Sequence, residues 1–272
     1  MTEVASTPPP SQAALALFDL VEGARVTHLW GRLGWQDIRR RYRRSTLGPF
    51  WITISMGLLV GALGMLYGGL FKVQASNYVP YLTLGFVIWT LINGLIADGC
   101  TAFVSASNII QQARLPLSVH VYRVVWRNLI IFFHNAVIFL VVAGVFSVWP
   151  GWTGLLAIPG ILLLCVNGVW GGMLLGAFAA RFRDVPPIIV SIVRIAFFVT
   201  PIIWMPELLP DRAVLPMNLN PFFHVLEVVR APLLGEVPSA VSWLAMIGIT
   251  ITGAAVTFVI YVRYRWRIAY WI

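Results

Sequence analysis

The sequence predicts an all-α polytopic membrane protein with six transmembrane helices, an N-terminal amphipathic interface helix, and short re-entrant helices before the last span. Two observations carry that reading. Residues 47–71 run 25 positions without a charge, directly after Arg39, Arg40, Arg41, Arg43 and Arg44. About twenty apolar residues span a bilayer as a helix, and arginines clustered beside a first span hold that end in the cytoplasm. In addition, 59% of the 272 residues are hydrophobic and 11% are charged. That falls well short of the roughly one quarter charged residues of a soluble chain.

The net charge of +9 does not point to nucleic acid, because the arginines flank apolar runs instead of forming a basic face on a soluble domain. Residues 1–12 carry Glu3, three prolines and no basic residue. They read as a disordered N-terminus and not as a secretory signal, so no cleavage is expected. Cys100 and Cys165 lie in apolar stretches without metal-ligand or redox spacing and read as small buried side chains.

Residues 13–46 form the expected cytoplasmic interface helix and basic linker. Leu15, Phe18, Val26, Leu29, Trp30 and Leu33 recur there at helical spacing, which suits a helix lying along the membrane surface. The transmembrane domain covers residues 47–262. Its spans fall at 47–71 and about 79–104, 124–148, 153–180, 185–205 and 237–262, the fifth containing Arg194. The charge-free stretch 128–180 is too long for one helix, and Trp149-Pro150-Gly151-Trp152 supplies a turn with interfacial aromatics at its middle.

Residues 206–238 hold six prolines among apolar side chains such as Phe222, Phe223 and Val229. This is too apolar for an exposed loop and too broken for a span, so it is expected to form re-entrant helices on the outer side. Residues 263–272 return to the cytoplasm. On this topology 15 basic residues lie inside, against three outside (Lys72, Arg212 and Arg230), as the positive-inside rule requires.

Several chemistries lack their parts. The only lysine is Lys72, outside any Gly-Lys-Ser/Thr sequence, so the chain carries no phosphate-binding loop. His28, His120, His134 and His224 are scattered without metal-ligand spacing, and acids within spans are nearly absent, which leaves no catalytic or metal residue to nominate. Glycines four apart (Gly57 and Gly61, Gly64 and Gly68, then Gly168, Gly172 and Gly176) permit close helix approach.

Four segments carry a resemblance: RRRYRRSTLGPFW (residues 39–51), the short element around 108–116, RFRDVPP (181–187) and NPFFHVLEVVRAPLLG (220–235). Together they resemble type 2 ABC exporter permeases, and among them the subunit that exports lipid-linked O-antigen or capsule polysaccharide. The resemblance implies a half-transporter in the bacterial inner membrane, with both termini cytoplasmic. It would pair with a second copy of itself and with two copies of an ABC ATPase. ATP and Mg would bind that ATPase and no cofactor would bind this chain; the substrate would be a lipid-linked glycan.

The same resemblance nominates residues. Coupling to the ATPase falls to Asp37, Arg40, Asn108, Gln112, Arg114, Arg181, Arg183 and Asp184, although Arg181, Arg183 and Asp184 also read as a solvated turn. Asp184, two residues before Pro186, reads independently as a helix N-cap. The substrate path falls to Trp51, Tyr67, Phe86, Trp89, Arg194, Phe197 and Phe198, because sugars stack on aromatic rings. The outer gate falls to Trp204, Asn220, Pro221, Phe222 and Phe223. Arg194 either snorkels, pairs with an acid such as Asp98, or faces a hydrated path. Two other functions stay open: an ABC exporter of another amphiphile (drug, antibiotic or lipid), and a membrane enzyme of polyprenyl-linked sugars.

Overall fold

The computed structural model describes residues 11–41, 43, 47, 48, 50–71, 73–208, 210 and 214–272. The expectations for residues 1–10, for Lys72 and Arg212, and for part of the 39–51 run lie outside them. Among the described residues the chain is helical throughout, in eleven α-helices joined by short turns.

Two helices precede the membrane segment: α1 (Gln12–Arg25), capped by the Ser11 side chain, and α2 (Thr27–Arg41), separated at Val26. The single interface helix expected from sequence is two helices here. The buried residues of α1 are Ala16, Asp19 and Gly23, while Leu17 and Phe18 stay exposed. Asp19 has partners beneath it, and the small residues either side let α1 approach them.

Then come α3 (Phe50–Phe71), α4 (Ala75–Cys100), the short α5 (Ser107–Gln112) and α6 (Ser118–Phe146). Helix α6 stops where Ser147 turns left-handed at φ 56°, and Gly151 repeats that φ at the start of a tight turn leading into α7 (Ala157–Arg181). The expected hairpin is therefore present, with Trp149 and Trp152 exposed at its tip.

Helix α8 (Val185–Val199) follows Asp184 with prolines in its first turn, where their missing N–H groups are not needed. It ends earlier than the expected 185–205. Pro201 disfavours helix at the residue before it, and Thr200 is extended at ψ 140°. Five helices among the described residues are long and apolar enough to cross a membrane; α8, with 15 residues, is apolar but shorter.

Two short helices, α9 (Val214–Asn218) and α10 (Pro221–Leu233), fill the proline-rich segment. The 32-residue α11 (Ala240–Trp271) closes the chain. At 1.5 Å per residue α11 is about 48 Å long, more than a roughly 30 Å hydrocarbon core.

Helix α4 is the centre, packed against α3, α6, α7, α8 and α10. Its Leu84, Ile88, Leu91 and Leu95 join Phe132, Leu164, Leu226 and Met246 in the main core. The glycine stripe of α7 faces α4. A Cβ on Gly99 would stand 3.0 Å from the Gly172 Cα, and Gly168 and Gly176 receive Leu95 and Phe103. Against α11, Gly253 makes room for the Trp170 ring, and Asn167 donates to the Thr250 hydroxyl at 3.0 Å. The outside is apolar: Leu58, Met65, Leu140, Leu162 and Leu244 are exposed, as a lipid-facing surface requires.

The segments expected inside gather at one end of the bundle. Gln111 donates to the Ile272 carbonyl, Arg181 lies over the Trp271 ring, and α1 packs on the starts and ends of α6 and α11. Those expected outside share the other end, where the Thr153 hydroxyl reaches the Pro232 carbonyl.

Candidate coupling network and transport path

At the α1/α2 end, three acids and three arginines bind the surface helices to the spans. Asp19, 5% exposed, accepts from the Leu117 and Ser118 N–H groups at 3.0 and 3.1 Å, at the start of α6. It also accepts from the Tyr261 hydroxyl at 2.9 Å, with Arg265 at 3.5 Å. A carboxylate on free N–H groups at a helix start satisfies orphan donors and complements the helix dipole. Ser118 returns the contact by donating to the Asp19 carbonyl at 2.7 Å.

Asp37 on α2 takes both Arg123 and Arg127 of α6. Arg127 in turn lies 2.8 Å from Asp98 on α4, which also accepts from Asn128 at 3.0 Å. A chain of charges thus runs from the surface helix into the spans.

The nominated coupling residues divide. Asp37 is spent internally on this network, whereas Arg40 is exposed beside it, along a crevice shared with Arg41, Asp98 and Arg127. Asn108, Gln112 and Arg114 are exposed on and after α5. Arg183 and Asp184 are exposed between α7 and α8; Arg181 is exposed but lies over the Phe182 and Trp271 rings at 5.3 and 5.1 Å. Asp184 holds the N-cap position of α8, yet its side chain makes no capping hydrogen bond.

The nominated path residues also divide. Phe86, Trp89, Phe197 and the gate residue Phe222 form one aromatic cluster: Phe86 to Phe197 is 5.6 Å between centroids, Trp89 to Phe197 5.8 Å and Trp89 to Phe222 5.6 Å. Phe198 packs edge-on against Phe197 but is 65% exposed. Trp51 is exposed on α3, and Tyr67 is partly buried on the same helix. Arg194 is exposed midway along α8, and among the described residues no ion pair includes it. Pairing with Asp98 is corrected, since that carboxylate belongs to Arg127.

At the other end, the gate residues lie around the break after α8. Trp204 donates from its indole to the Phe198 carbonyl at 3.1 Å. Asn220 caps α10 by accepting from the Phe222 N–H and donates to the Thr200 hydroxyl, both at 3.0 Å. Pro221 occupies the first turn of α10, exposed, and Phe223 is buried.

Sequence reasoning missed the clamp beneath them. Arg230, 2% exposed, donates to the Pro201 carbonyl at 2.6 Å, pairs with Glu227 at 2.7 Å and lies over the Tyr81 ring at 4.1 Å. Tyr81 and Tyr78 donate to the Pro201 and Ile203 carbonyls at 3.0 and 2.7 Å. The Pro201, Ile203 and Trp204 carbonyls at the break thus have side-chain donors, which is what non-helical backbone at membrane depth demands. The sequence places Arg230 in the re-entrant segment only as an outside charge; Glu227 three positions earlier, on one helix face, is the available signal.

The family model described as ABC-2 type transporter matches residues 28–234. The chain belongs to that family. Relatives described as O-antigen export system permease protein RfbA are 23% identical over 198 residues in Myxococcus xanthus, covering 72% of this chain and 76% of that protein. Two from Klebsiella pneumoniae are 21% and 24% identical over 192 and 196 residues, each covering 70% of this chain and 74% of their own length. The ABC-2 match takes in α2, the Asp37 network, the aromatic cluster and the Arg230 clamp. With its family and its apolar helices, this ABC-2 chain is a multi-pass membrane permease.

Proposed function

We propose that the chain is the membrane-spanning half of an ATP-driven exporter that moves a lipid-linked polysaccharide, of O-antigen or capsule type, across the bacterial inner membrane. It acts as a dimer on two copies of a separate ABC ATPase, with both termini in the cytoplasm. The observation that carries this reading is the alignment with O-antigen export permeases over about three quarters of their length.

The exposed Asn108, Gln112, Arg114, Arg183 and Asp184 form the face offered to the ATPase. Motion received there passes through α2 and the Asp37–Arg127–Asp98 chain to α4. The path runs along α3, α4 and α8, with Arg194 meeting phosphate or hydroxyl groups through its planar donor fork. ATP and Mg stay on the partner, since this chain has no phosphate-binding loop.

Deleting the chain should leave a lipid-linked glycan in the cytoplasmic leaflet, and the tagged chain should co-purify with an ATPase subunit. Normal surface glycan together with retention of a drug or another lipid would replace this substrate with a different amphiphile.

A further inference from the structure

Helix α3 meets its neighbours at separate levels. Thr53 donates to the His134 carbonyl of α6 at 3.0 Å and Gly57 lies under Ile138, while Gly64 meets Val79 of α4 farther along. Between these helices lies a cleft of about 530 Å³, within the roughly 300–1,000 Å³ typical of small-molecule sites.

Its lining is unusual for a helix bundle in lipid. Thr90, Asn93 and Asp98 share one face of α4, Asn128 and Asn135 lie two turns apart on α6, and Ser55 faces them from α3. Asn93 lies seven residues before the end of α4, and Asn135 seventeen after the start of α6. At 1.5 Å per residue they are about 10 and 25 Å from those ends, inside the apolar stretches. Polar groups there are costly unless something satisfies them.

Some are satisfied within the protein. Asn128 donates to Asp98 and to the Val124 carbonyl, both at 3.0 Å, and fits only because α4 has Gly94, where a Cβ would stand 2.0 Å from its amide oxygen. Two amides are not. Asn135 is 1% exposed and its Oδ1 has no hydrogen-bond partner. Asn93 is exposed in the cleft, with no side-chain hydrogen bond among the described residues. Apolar residues of the same size would pack these positions more favourably, so the amides point to a ligand.

The ligand chemistry follows from the donors. A lipid tail gains nothing from amides. A free anion would need a net positive lining, but the two charged residues that line the cleft, Arg41 and Asp98, are of opposite sign. Neutral groups that both donate and accept suit hydroxyls, which do the same.

We propose that the cleft between α3, α4 and α6 is a carbohydrate subsite, in which Asn93 and Asn135 hydrogen-bond hydroxyl groups of the glycan's lipid-proximal sugars. This rests on the glycan-export reading and adds to it a site within one protomer, apart from the aromatic cluster on α4 and α8.

The test uses the full chain with its ATPase. Asn93→Leu and Asn135→Leu, single and combined, should keep or raise thermal stability and lower glycan export about five- to tenfold per lost hydrogen bond. Next, in a chain with Cys100 and Cys165 replaced by alanine, Asn93→Cys should react with a membrane-impermeant thiol reagent. A short-chain prenyl diphosphate carrying N-acetylglucosamine should protect it, and the same prenyl diphosphate without sugar should not. Wild-type export by the double leucine variant, absence of labelling, absence of protection, or equal protection by both probes would each overturn the subsite. The exporter reading fails separately, if deletion of the chain leaves glycan export intact.

Discussion

Asp37 and Asp98 share one arginine: the Arg127 guanidinium lies 3.2 Å from the first and 2.8 Å from the second. One carboxylate sits on a surface helix and the other on the central span, so α2 cannot lift from the bundle without breaking a charge pair near α4.

Removing that link should loosen α2 without unfolding the spans. Arg127→Leu leaves Arg123 on Asp37, and the Asp98 side chain is 39% exposed, so solvent limits the cost to about 1–2 kcal/mol. Limited trypsin digestion should cut at Arg39 to Arg41 faster than in the wild type, with the spans still protected. Unchanged cleavage there would show that Arg127 does not hold α2.

Asp19 is the larger stability determinant. Asp19→Ala orphans two N–H groups at the start of α6 and the Tyr261 hydroxyl, costing about 3 kcal/mol, and Asp19→Asn, which keeps one acceptor oxygen, should cost less. Thermal unfolding in detergent should rank them wild type, Asn, Ala; equal Tm values would mean that the contacts at α6 contribute nothing.

For the clamp, Arg230→Met leaves Glu227 without its partner and the Pro201 carbonyl without this donor, a loss of about 3–5 kcal/mol. Glu227→Gln added to it should recover part of that loss. A double variant no more stable than Arg230→Met alone would assign the cost to Pro201 and Tyr81 and not to the ion pair.

Arg194 behaves oppositely. Its side chain is exposed and, among the described residues, in no ion pair, so Arg194→Leu should express and assemble like the wild type while export falls, and Arg194→Lys should retain part of it. Size-exclusion profiles with export assays separate the two effects. Full export by the leucine variant would remove Arg194 from the path.

Sidedness is open to a direct check. With the native cysteines replaced, Gln112→Cys should react only from the cytoplasmic face and Trp152→Cys only from the opposite one. Reaction of both from one face would contradict the arrangement of the two ends.

The sequence made the spans legible because lipid imposes one simple requirement, a long uncharged run, and α3, α6, α7 and α11 meet it. Helix α8 was overextended because hydropathy does not register Pro201, whose effect is steric and local. The residues nominated for coupling came from the resemblance, and of them Asn108, Gln112, Arg114, Arg183 and Asp184 are exposed. Asp19 and Arg230 were missed as partners, and Asp98 was matched with Arg194 instead of Arg127, for a different reason: Asp19 and Asp98 pair with residues distant in sequence and Arg230 lies on a short helix broken by prolines, and periodicity carries no information about such pairs. Asp19 did leave a trace, as an acid between Ala16 and Gly23 on one face of α1.

At Gly99 and Gly172 no side chain separates the two main chains. A seam of that kind has no rotamers to exchange, so it offers no second arrangement at low cost. At that crossing helices α4 and α7 are expected to move together. The give in the protomer is left to α3, which borders an open cleft, and to α8, which buries only Val193. A binder that fastens α8 to α7 would then arrest the cycle from the periphery, leaving the centre of the bundle untouched.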